Sequence, residues 1–189
     1  MNREIAVWGS GLLWLGSVVA AIFGWERYDA TPGRMAPRVV DSVTTHSTGW
    51  NLTVYAHPRC PCLRASFPVL RSLKGHYPHL TVRVVFVRPL DTPDGWEFGE
   101  AWDEATRISG TTVTCDPDGG EARRAGAETS GCAVLTDPNG RVVFRGGLTQ
   151  GRGRVGDSDG RRAVSGWVQG EPSAASVAVY GCPLHTSLE

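Results

Sequence analysis

Two cysteines separated by a single residue form the motif of this chain with the clearest chemistry. The motif HPRCPCLR occupies residues 57–64, between an apolar alternating run at residues 51–56 and a helix-like segment at residues 63–75. A cysteine where a strand meets a helix lies near the positive end of the helix dipole, which favours the thiolate over the thiol. Because the thiolate attacks disulfides and binds metals, the motif predicts redox or metal chemistry rather than two structural cysteines.

The composition limits the other classes of function. With 189 residues and 41% hydrophobic content, the chain can hold one ordinary domain and an appendage. Its 19 basic and 19 acidic residues cancel, so no bulk charge predicts a nucleic-acid partner. Five cysteines are an odd number, so at least one is free, metal-bound or paired between chains.

An uncharged N-terminal stretch precedes the motif. Residues 5–25 carry no charge, which is long enough to cross a bilayer core of roughly 30 Å as a helix. We therefore predict a transmembrane anchor at residues 1–27, a cleaved signal peptide being the alternative, and a linker at residues 28–43. Flanking charges leave the orientation ambiguous, and the cysteine chemistry favours an extracytoplasmic domain, on the periplasmic side. Gly16, Ala20 and Gly24 recur every fourth residue and suggest a homodimer through the anchor.

Strands and helices alternate after the linker. Strands are predicted at residues 51–56, 80–87, 111–115, 132–136 and 142–144, and helices at residues 63–75, 96–108, 120–127 and 159–168. We expect the first of these helices to bend or restart near Pro68, and Asp159 to cap the last one. The order predicts an α/β domain over residues 44–170, with a central mixed sheet flanked by helices on both faces. Residues 171–189 are predicted to form a C-terminal tail that carries Cys182.

This order, with the cysteine motif at the first junction of strand and helix, resembles the thioredoxin-like superfamily. It is most similar to the membrane-anchored extracytoplasmic members of the TlpA/ResA kind, whose hairpin pattern is matched by LTDPNGRVV at residues 135–143. Four segments resemble the bacterial RedB-like proteins: HPRCPCLRAS at 57–66, GGLT at 146–149, GDSDG at 156–160 and YGCPL at 180–184. Two departures stand out. The cysteines are one residue closer than in Cys-x-x-Cys, and Gly131, next to Cys132, occupies the position of the superfamily's cis-proline.

The resemblance implies that Cys60 is the exposed nucleophile and that Cys62 is the resolving thiol, held within the helix. Arg59 and Arg64 are expected to lower the pKa of the thiolate. A disulfide across one residue is strained, and Pro61 restricts it further, so the pair is expected to be an oxidant or isomerase rather than a strong reductant. The predicted activity is thiol–disulfide exchange with a protein dithiol or disulfide, without a bound cofactor.

Two other functions remain open at this stage. Three cysteines and a histidine can form a metal-binding or copper-delivery site for copper, zinc or an iron–sulfur cluster, the candidate ligands being Cys60, Cys62, Cys182, His57 and His185. A degenerate, non-catalytic domain that only binds a partner is the other alternative. In the redox case, Cys182 is a candidate resolving or third thiol on a mobile tail, and His57 a candidate for tuning the thiolate. The basic, glycine-rich residues 145–162 are expected to form a surface loop that borders the site.

Overall fold

The computed structural model describes residues 2–36 and 49–185, apart from the side chains of residues 2–7. The chain divides into two compact units, residues 1–31 and residues 32–189. Residues 37–43 of the predicted linker and the predicted start of the domain at residue 44 lie outside the described residues. The boundaries proposed from the sequence therefore stay predictions.

The N-terminal unit is a single helix, α1 (Asn2–Ala30). Within it, Trp8–Ala30 forms a stretch of 23 residues with a mean hydropathy of 1.4. At a rise of ~1.5 Å per residue this stretch is ~34 Å long, which exceeds the ~30 Å hydrocarbon core of a bilayer. Length and composition make α1 a candidate membrane span, although an N-terminal signal sequence meets the same criteria. The homodimer suggested by its small residues stays a prediction.

The second unit is built on a five-stranded mixed sheet. The order in the sheet is β3-β2-β1-β4-β5, with β1, β2 and β3 parallel and with β4 antiparallel to both β1 and β5. The predicted fold class is therefore confirmed. Along the chain the elements are β1 (Asn51–Ala56), a 3-10 turn (Pro61–Ala65), α2 (Ser66–His76), β2 (Thr81–Arg88), α3 (Glu100–Thr106), β3 (Thr111–Pro117), α4 (Gly120–Arg124), β4 (Cys132–Thr136), β5 (Val142–Gly147) and α5 (Asp159–Gln169).

The sheet separates two apolar cores. Successive side chains of a strand point to opposite faces, so Val54 and Ala56 of β1 face one core and Tyr55 faces the other. The first core contains the buried residues of α2, α3 and α5. The second contains Ala122 of α4 and Leu184, close to the C-terminus. Every residue of the central strand β1 is buried, as expected for a strand covered on both faces.

Two helices differ from their predicted extents. The helix expected at residues 63–75 is a 3-10 turn followed by α2, which begins at Ser66. Pro68 thus lies in the first turn of α2, where a backbone N–H has no partner within the helix and its loss costs little. The helix expected at residues 96–108 is limited to α3, because Gly99, the residue immediately before it, has a non-helical backbone (φ 157°, ψ −168°).

The last helix is capped by a different residue from the one predicted. The N-cap of α5 is Ser158 and not Asp159, because the Ser158 hydroxyl accepts a hydrogen bond from the Arg161 N–H at 3.1 Å. The same hydroxyl donates to the carbonyl of Leu148 at 2.7 Å. Ser158 therefore ties the start of α5 to the end of β5.

The predicted tail packs on the sheet domain. We refer to residues 175–185 as the C-terminal segment. Its first part follows β5, where the N–H of Arg145 donates to the carbonyl of Ala175 at 2.9 Å. Its second part pairs with the residues before β4 through an antiparallel bridge between Thr129 and Pro183. The side chain of Leu184 is 1% exposed within the second core. The C-terminal segment is therefore an ordered part of the domain and not the mobile tail that we expected.

Candidate functional site

The backbone at the end of β1 fixes the first cysteine. Cys60 has an extended conformation (φ −83°, ψ 112°) and precedes the 3-10 turn, which Pro61 begins. Its N–H donates to the carbonyl of His57 at 3.0 Å, and its own carbonyl accepts from the Leu63 N–H at 3.3 Å. Pro61 suits this position because its fixed φ and its missing N–H are both compatible with the first residue of a helical turn.

The sulfur of Cys60 is surrounded by hydrogen-bond donors. The thiol of Cys182 donates to it, and the Cys182 backbone N–H lies 3.5 Å from it. The hydroxyl of Ser130 and the N–H of Leu63 are the other donors. The Cys182 thiol has the largest effect, and together these donors outweigh burial and lower the pKa of Cys60 to about 5. Cys60 is therefore a thiolate at neutral pH.

The exposure of the two motif cysteines is the reverse of what we expected. Cys60 is 2% exposed, whereas Cys62 is only partly buried. Cys60 is buried because the backbone of Cys182 lies against its sulfur. No local sequence pattern predicts this tertiary contact. Burial and the negative charge of Cys60 raise the pKa of Cys62, while the guanidinium of Arg152 opposes this shift. Cys62 is consequently the thiol of the pair that stays protonated.

The two motif arginines have partners other than the thiolate. The guanidinium of Arg59 lies over the Trp96 ring, 4.6 Å from its centroid. Arg64 pairs with Glu100 at 3.0 Å and with Glu104 at 3.5 Å, in the region of α3. Carboxylates and an aromatic face compete for these cations. The low pKa of Cys60 arises from hydrogen bonds instead.

His57 lies beside the site but does not face its sulfur atoms. Its ring packs edge-on against Trp96, with 5.5 Å between the ring centroids, and its Nδ1 accepts from the Arg59 N–H at 3.3 Å. Burial lowers the pKa of His57, and Arg59 adds to this shift against the opposing charge of Cys60. The imidazole is therefore neutral at pH 7, and its backbone N–H is the group that faces the site, through Ser130.

The residues before β4 complete the floor of the site. The N–H of His57 donates to the Ser130 hydroxyl at 2.9 Å, and the N–H of Gly131 donates to the carbonyl of Tyr55 at 2.8 Å. Gly131 occupies the predicted position immediately before β4, with a left-handed φ of +89°. Among the described residues no peptide bond is cis. Gly131 thus provides a close approach of two backbones through a conformation that side chains disfavour.

The remaining two cysteines lie away from the thiolate. Cys132 is fully buried in the second core, on the opposite face of the sheet from Cys60, and burial raises its pKa to about 12. Cys115 lies in β3, where burial and a hydrogen bond with Glu97 raise its pKa to about 11. All five cysteines are free, and β1 and β2 separate β3 from β4, so a disulfide between Cys115 and Cys132 does not form in this structure.

The proposed metal ligands are brought together only in part. Cys60, Cys62 and Cys182 interact with one another. His185, by contrast, is directed at the carbonyl of Ala127, 2.9 Å from its Nε2. Within residues 2–36 and 49–185, no group of three or more His, Cys, Asp or Glu side chains is arranged to hold a metal ion. The three cysteines therefore interact in pairs but are not arranged as a metal site in the described residues, and His185 is directed elsewhere.

Two residues of the site were not identified from the sequence. Ser130 donates to the thiolate, and Arg152 donates to the carbonyl of Gly181 while also hydrogen-bonding to the Cys62 sulfur. Arg152 belongs to the basic, glycine-rich residues that we expected to border the site, so its region but not its role was predicted. Ser130 was detectable only as the neighbour of Gly131. Contacts between residues that lie far apart in the sequence cannot be predicted from local sequence patterns.

The strand order, the helices on both faces and a thiol at the end of the first strand define a thioredoxin-like fold. No family model and no curated protein matches this sequence. The chain is similar to solved structures of a hypothetical protein from Sinorhizobium meliloti 1021 (20% identity, TM-score 0.61, 84% of this chain and 96% of the other) and of an uncharacterized conserved protein from Geobacillus kaustophilus (15%, 0.59, 85% and 94%).

A secreted disulfide oxidoreductase of Mycobacterium tuberculosis, described as homologous to DsbE of E. coli, matches at 15% identity with a TM-score of 0.45. That match covers 66% of this chain and 83% of the other. At such identities the likeness to the Sinorhizobium meliloti and Geobacillus kaustophilus structures bears on the fold alone.

Proposed function

We propose that this chain is a membrane-anchored, extracytoplasmic thiol–disulfide oxidoreductase whose nucleophile is Cys60. One observation carries the proposal: the Cys182 N–H lies 3.5 Å from the Cys60 sulfur, in a setting where hydrogen bonding by Cys182, Ser130 and Leu63 lowers the pKa of that thiol. A cysteine that only fills space needs no such donors, and burial alone raises the pKa of a thiol, as it does at Cys132.

The chemistry that follows is exchange with a protein disulfide. The Cys60 thiolate attacks one sulfur of the partner disulfide, forms a mixed disulfide and releases the other sulfur as a thiolate. A second thiol of this chain then displaces the partner. The reaction moves two electrons between sulfur atoms and involves no organic cofactor, so the expected partner is a protein dithiol or disulfide.

The proposed location rests on α1 and on the cysteines. An apolar helix of sufficient length precedes the domain, and disulfides form and persist outside the reducing cytosol. In this arrangement α1 spans the membrane and the thiols face the extracytoplasmic side.

The test uses full-length protein in detergent and measures the reduction of insulin disulfides by dithiothreitol. We expect wild-type protein to accelerate the reaction and Cys60→Ser to abolish the acceleration. Cys115→Ser is the matched control and should keep full activity, because Cys115 lies in β3 beside Glu97. If the Cys60→Ser variant accelerates insulin reduction as well as the wild-type protein does, the proposal is contradicted.

Metal content is measured on the same preparations. The competing metal-binding function draws on the pairwise interactions among Cys60, Cys62 and Cys182, although the described side chains are not arranged to hold a metal ion. Stoichiometric copper or zinc that is lost in Cys182→Ser, combined with no insulin reduction, would favour that function over exchange.

A further inference from the structure

The C-terminal segment holds its cysteine in one place. The N–H of Ser130 donates to the carbonyl of Cys182 at 2.8 Å, and the N–H of Leu184 donates to the carbonyl of Glu128 at 2.9 Å. These two hydrogen bonds join the backbone at Cys182 and Leu184 to the residues before β4. Gly181 lies so close to the Ser130 carbonyl that a side chain there would clash with it. The backbone around Cys182 is therefore fixed before any reaction begins.

This backbone position suits a bond between two sulfur atoms. The nitrogen of Cys182 is 3.5 Å from the sulfur of Cys60. Since an N–Cα bond is about 1.46 Å long, the Cα of Cys182 lies within about 5 Å of that sulfur. The thiols of Cys182 and Cys60 also interact directly. We therefore expect the two sulfur atoms to bond without a large movement of the backbone.

Cys62 is a poorer partner for Cys60. Only Pro61 separates the two, and although their thiols interact, Cys62 belongs to a 3-10 turn, in which side chains two positions apart point in different directions. A disulfide between them would close a small ring in which the preferred torsion is hard to reach, with the proline restricting its backbone. Closing that ring requires the turn to distort, whereas bonding to Cys182 does not.

We propose that Cys182, and not Cys62, is the resolving thiol that forms the intramolecular disulfide with Cys60. This inference rests on the proposed exchange reaction and assigns its second step. Cys62 is left as a thiol beside the new disulfide, next to Arg152.

In the direction that reduces a partner disulfide, the reaction has two exchange steps. The Cys60 thiolate attacks the partner disulfide, whose S–S bond breaks, and the first partner sulfur leaves and takes up a proton. Cys182 then loses its proton and attacks the Cys60 sulfur, the mixed disulfide breaks, and the second partner sulfur leaves and is protonated. The partner gains two electrons and two protons, and this chain is oxidised to the Cys60–Cys182 disulfide. A protein dithiol of lower potential restores the two thiols.

The experiment maps the disulfide in full-length protein in detergent. Reduced protein is treated with one equivalent of 5,5′-dithiobis(2-nitrobenzoic acid), remaining thiols are alkylated in acid, and proteolytic fragments are identified by mass spectrometry. We expect a link between Cys60 and Cys182. A link between Cys60 and Cys62 as the main product would overturn the proposal.

Two variants give an independent kinetic readout. The mixed disulfide on Cys60 should disappear at least 10-fold more slowly in Cys182→Ser than in wild-type protein, whereas Cys62→Ser should resolve it at the wild-type rate. The opposite pattern would overturn the proposal. If Cys182→Ser does not fold, as judged by circular dichroism, the wild-type disulfide map still decides.

The two proposals fail in different ways. Insulin reduction that depends on Cys60, together with a Cys60–Cys62 link, supports the proposed function and refutes the role of Cys182. A Cys60–Cys182 link without any insulin reduction refutes the enzymatic function and leaves the pairing of these two sulfur atoms established.

Discussion

At the residue scale, Cys60 differs from the other cysteines in the donors that surround its sulfur. Cys115, Cys132 and Cys182 all have raised pKa values, and burial contributes to each of these shifts. Cys60 is more buried than Cys115, yet its pKa is lowered. Hydrogen bonds to the charged form therefore decide the protonation state here, and burial does not.

The ionisation of Cys60 gives the first prediction. Because its pKa is lowered to about 5, the absorbance of the thiolate at 240 nm should appear with a midpoint near pH 5 as the pH rises. Cys182→Ala removes the strongest donor and should move this midpoint upward, towards the ordinary thiol value of about 8.5. Cys60→Ser should lack the transition. A wild-type midpoint between pH 8 and 9 would contradict the assignment.

The backbone at Gly131 gives the second prediction. Gly131→Ala should lower the free energy of unfolding by about 1–2 kcal/mol, because a Cβ is disfavoured at φ +89° even where space is available. Gly75→Ala is the opposite control. Gly75 lies in α2 with open space around it, and alanine there should stabilise the protein by up to about 1 kcal/mol. Denaturant titrations in detergent measure both, and equal effects of the two substitutions would refute the strain at Gly131.

At the scale of elements, the C-terminal segment is the part of the fold that covers the nucleophile. Its hydrogen bonds with the residues before β4 and the burial of Leu184 keep Cys182 against Cys60. Because Cys60 is 2% exposed, we expect a partner disulfide to reach its sulfur only when this cover opens.

The third prediction loosens that docking. Leu184→Ala removes a fully buried side chain, a change that costs about 2–5 kcal/mol in a packed core. The local opening of the C-terminal segment should become more frequent, so iodoacetamide should alkylate Cys60 faster than in wild-type protein. Leu90→Ala is the control, since Leu90 is 74% exposed. An unchanged rate of alkylation in Leu184→Ala would show that the C-terminal segment does not limit access.

The strands were easier to predict than the helices. β1 and β4 have the predicted bounds, since alternating apolar side chains and a strong turn signal mark their ends. Helix ends depend on single residues such as Ser158. Its hydroxyl caps α5 and also donates to the carbonyl of Leu148, the residue that follows β5. Such a contact requires the tertiary structure, and the sequence alone points equally well to Asp159.

At the scale of the whole molecule, the site draws on distant parts of the chain. The spacing of Cys60 and Cys62 predicts that both belong to one site, and the thioredoxin-like order of elements places them at a strand end. The contact of Cys60 with Cys182 spans 122 residues, so sequence could suggest this third thiol but not position it. The exposure of Cys60 was predicted incorrectly for the same reason.

The fourth prediction concerns the N-terminal helix. After extraction of membranes with alkaline carbonate, full-length protein should remain in the membrane fraction, because Trp8–Ala30 is long and apolar enough to stay inserted. Intact mass spectrometry of the extracted material should give the uncleaved chain of 20.3 kDa. A smaller species in the soluble fraction would show that the helix is a cleaved signal sequence.

The distance along the chain between Cys60 and its neighbour Cys182 also has a consequence during biosynthesis. At roughly 5–20 residues per second, the ribosome needs roughly 6 to 24 s to add the 122 residues that separate them. A growing chain that enters an oxidising compartment during this time contains Cys60 and Cys62 but lacks Cys182. In that interval Cys62 is the nearer candidate partner of Cys60, and a Cys60–Cys62 disulfide formed then would have to exchange before Cys182 could bond to Cys60.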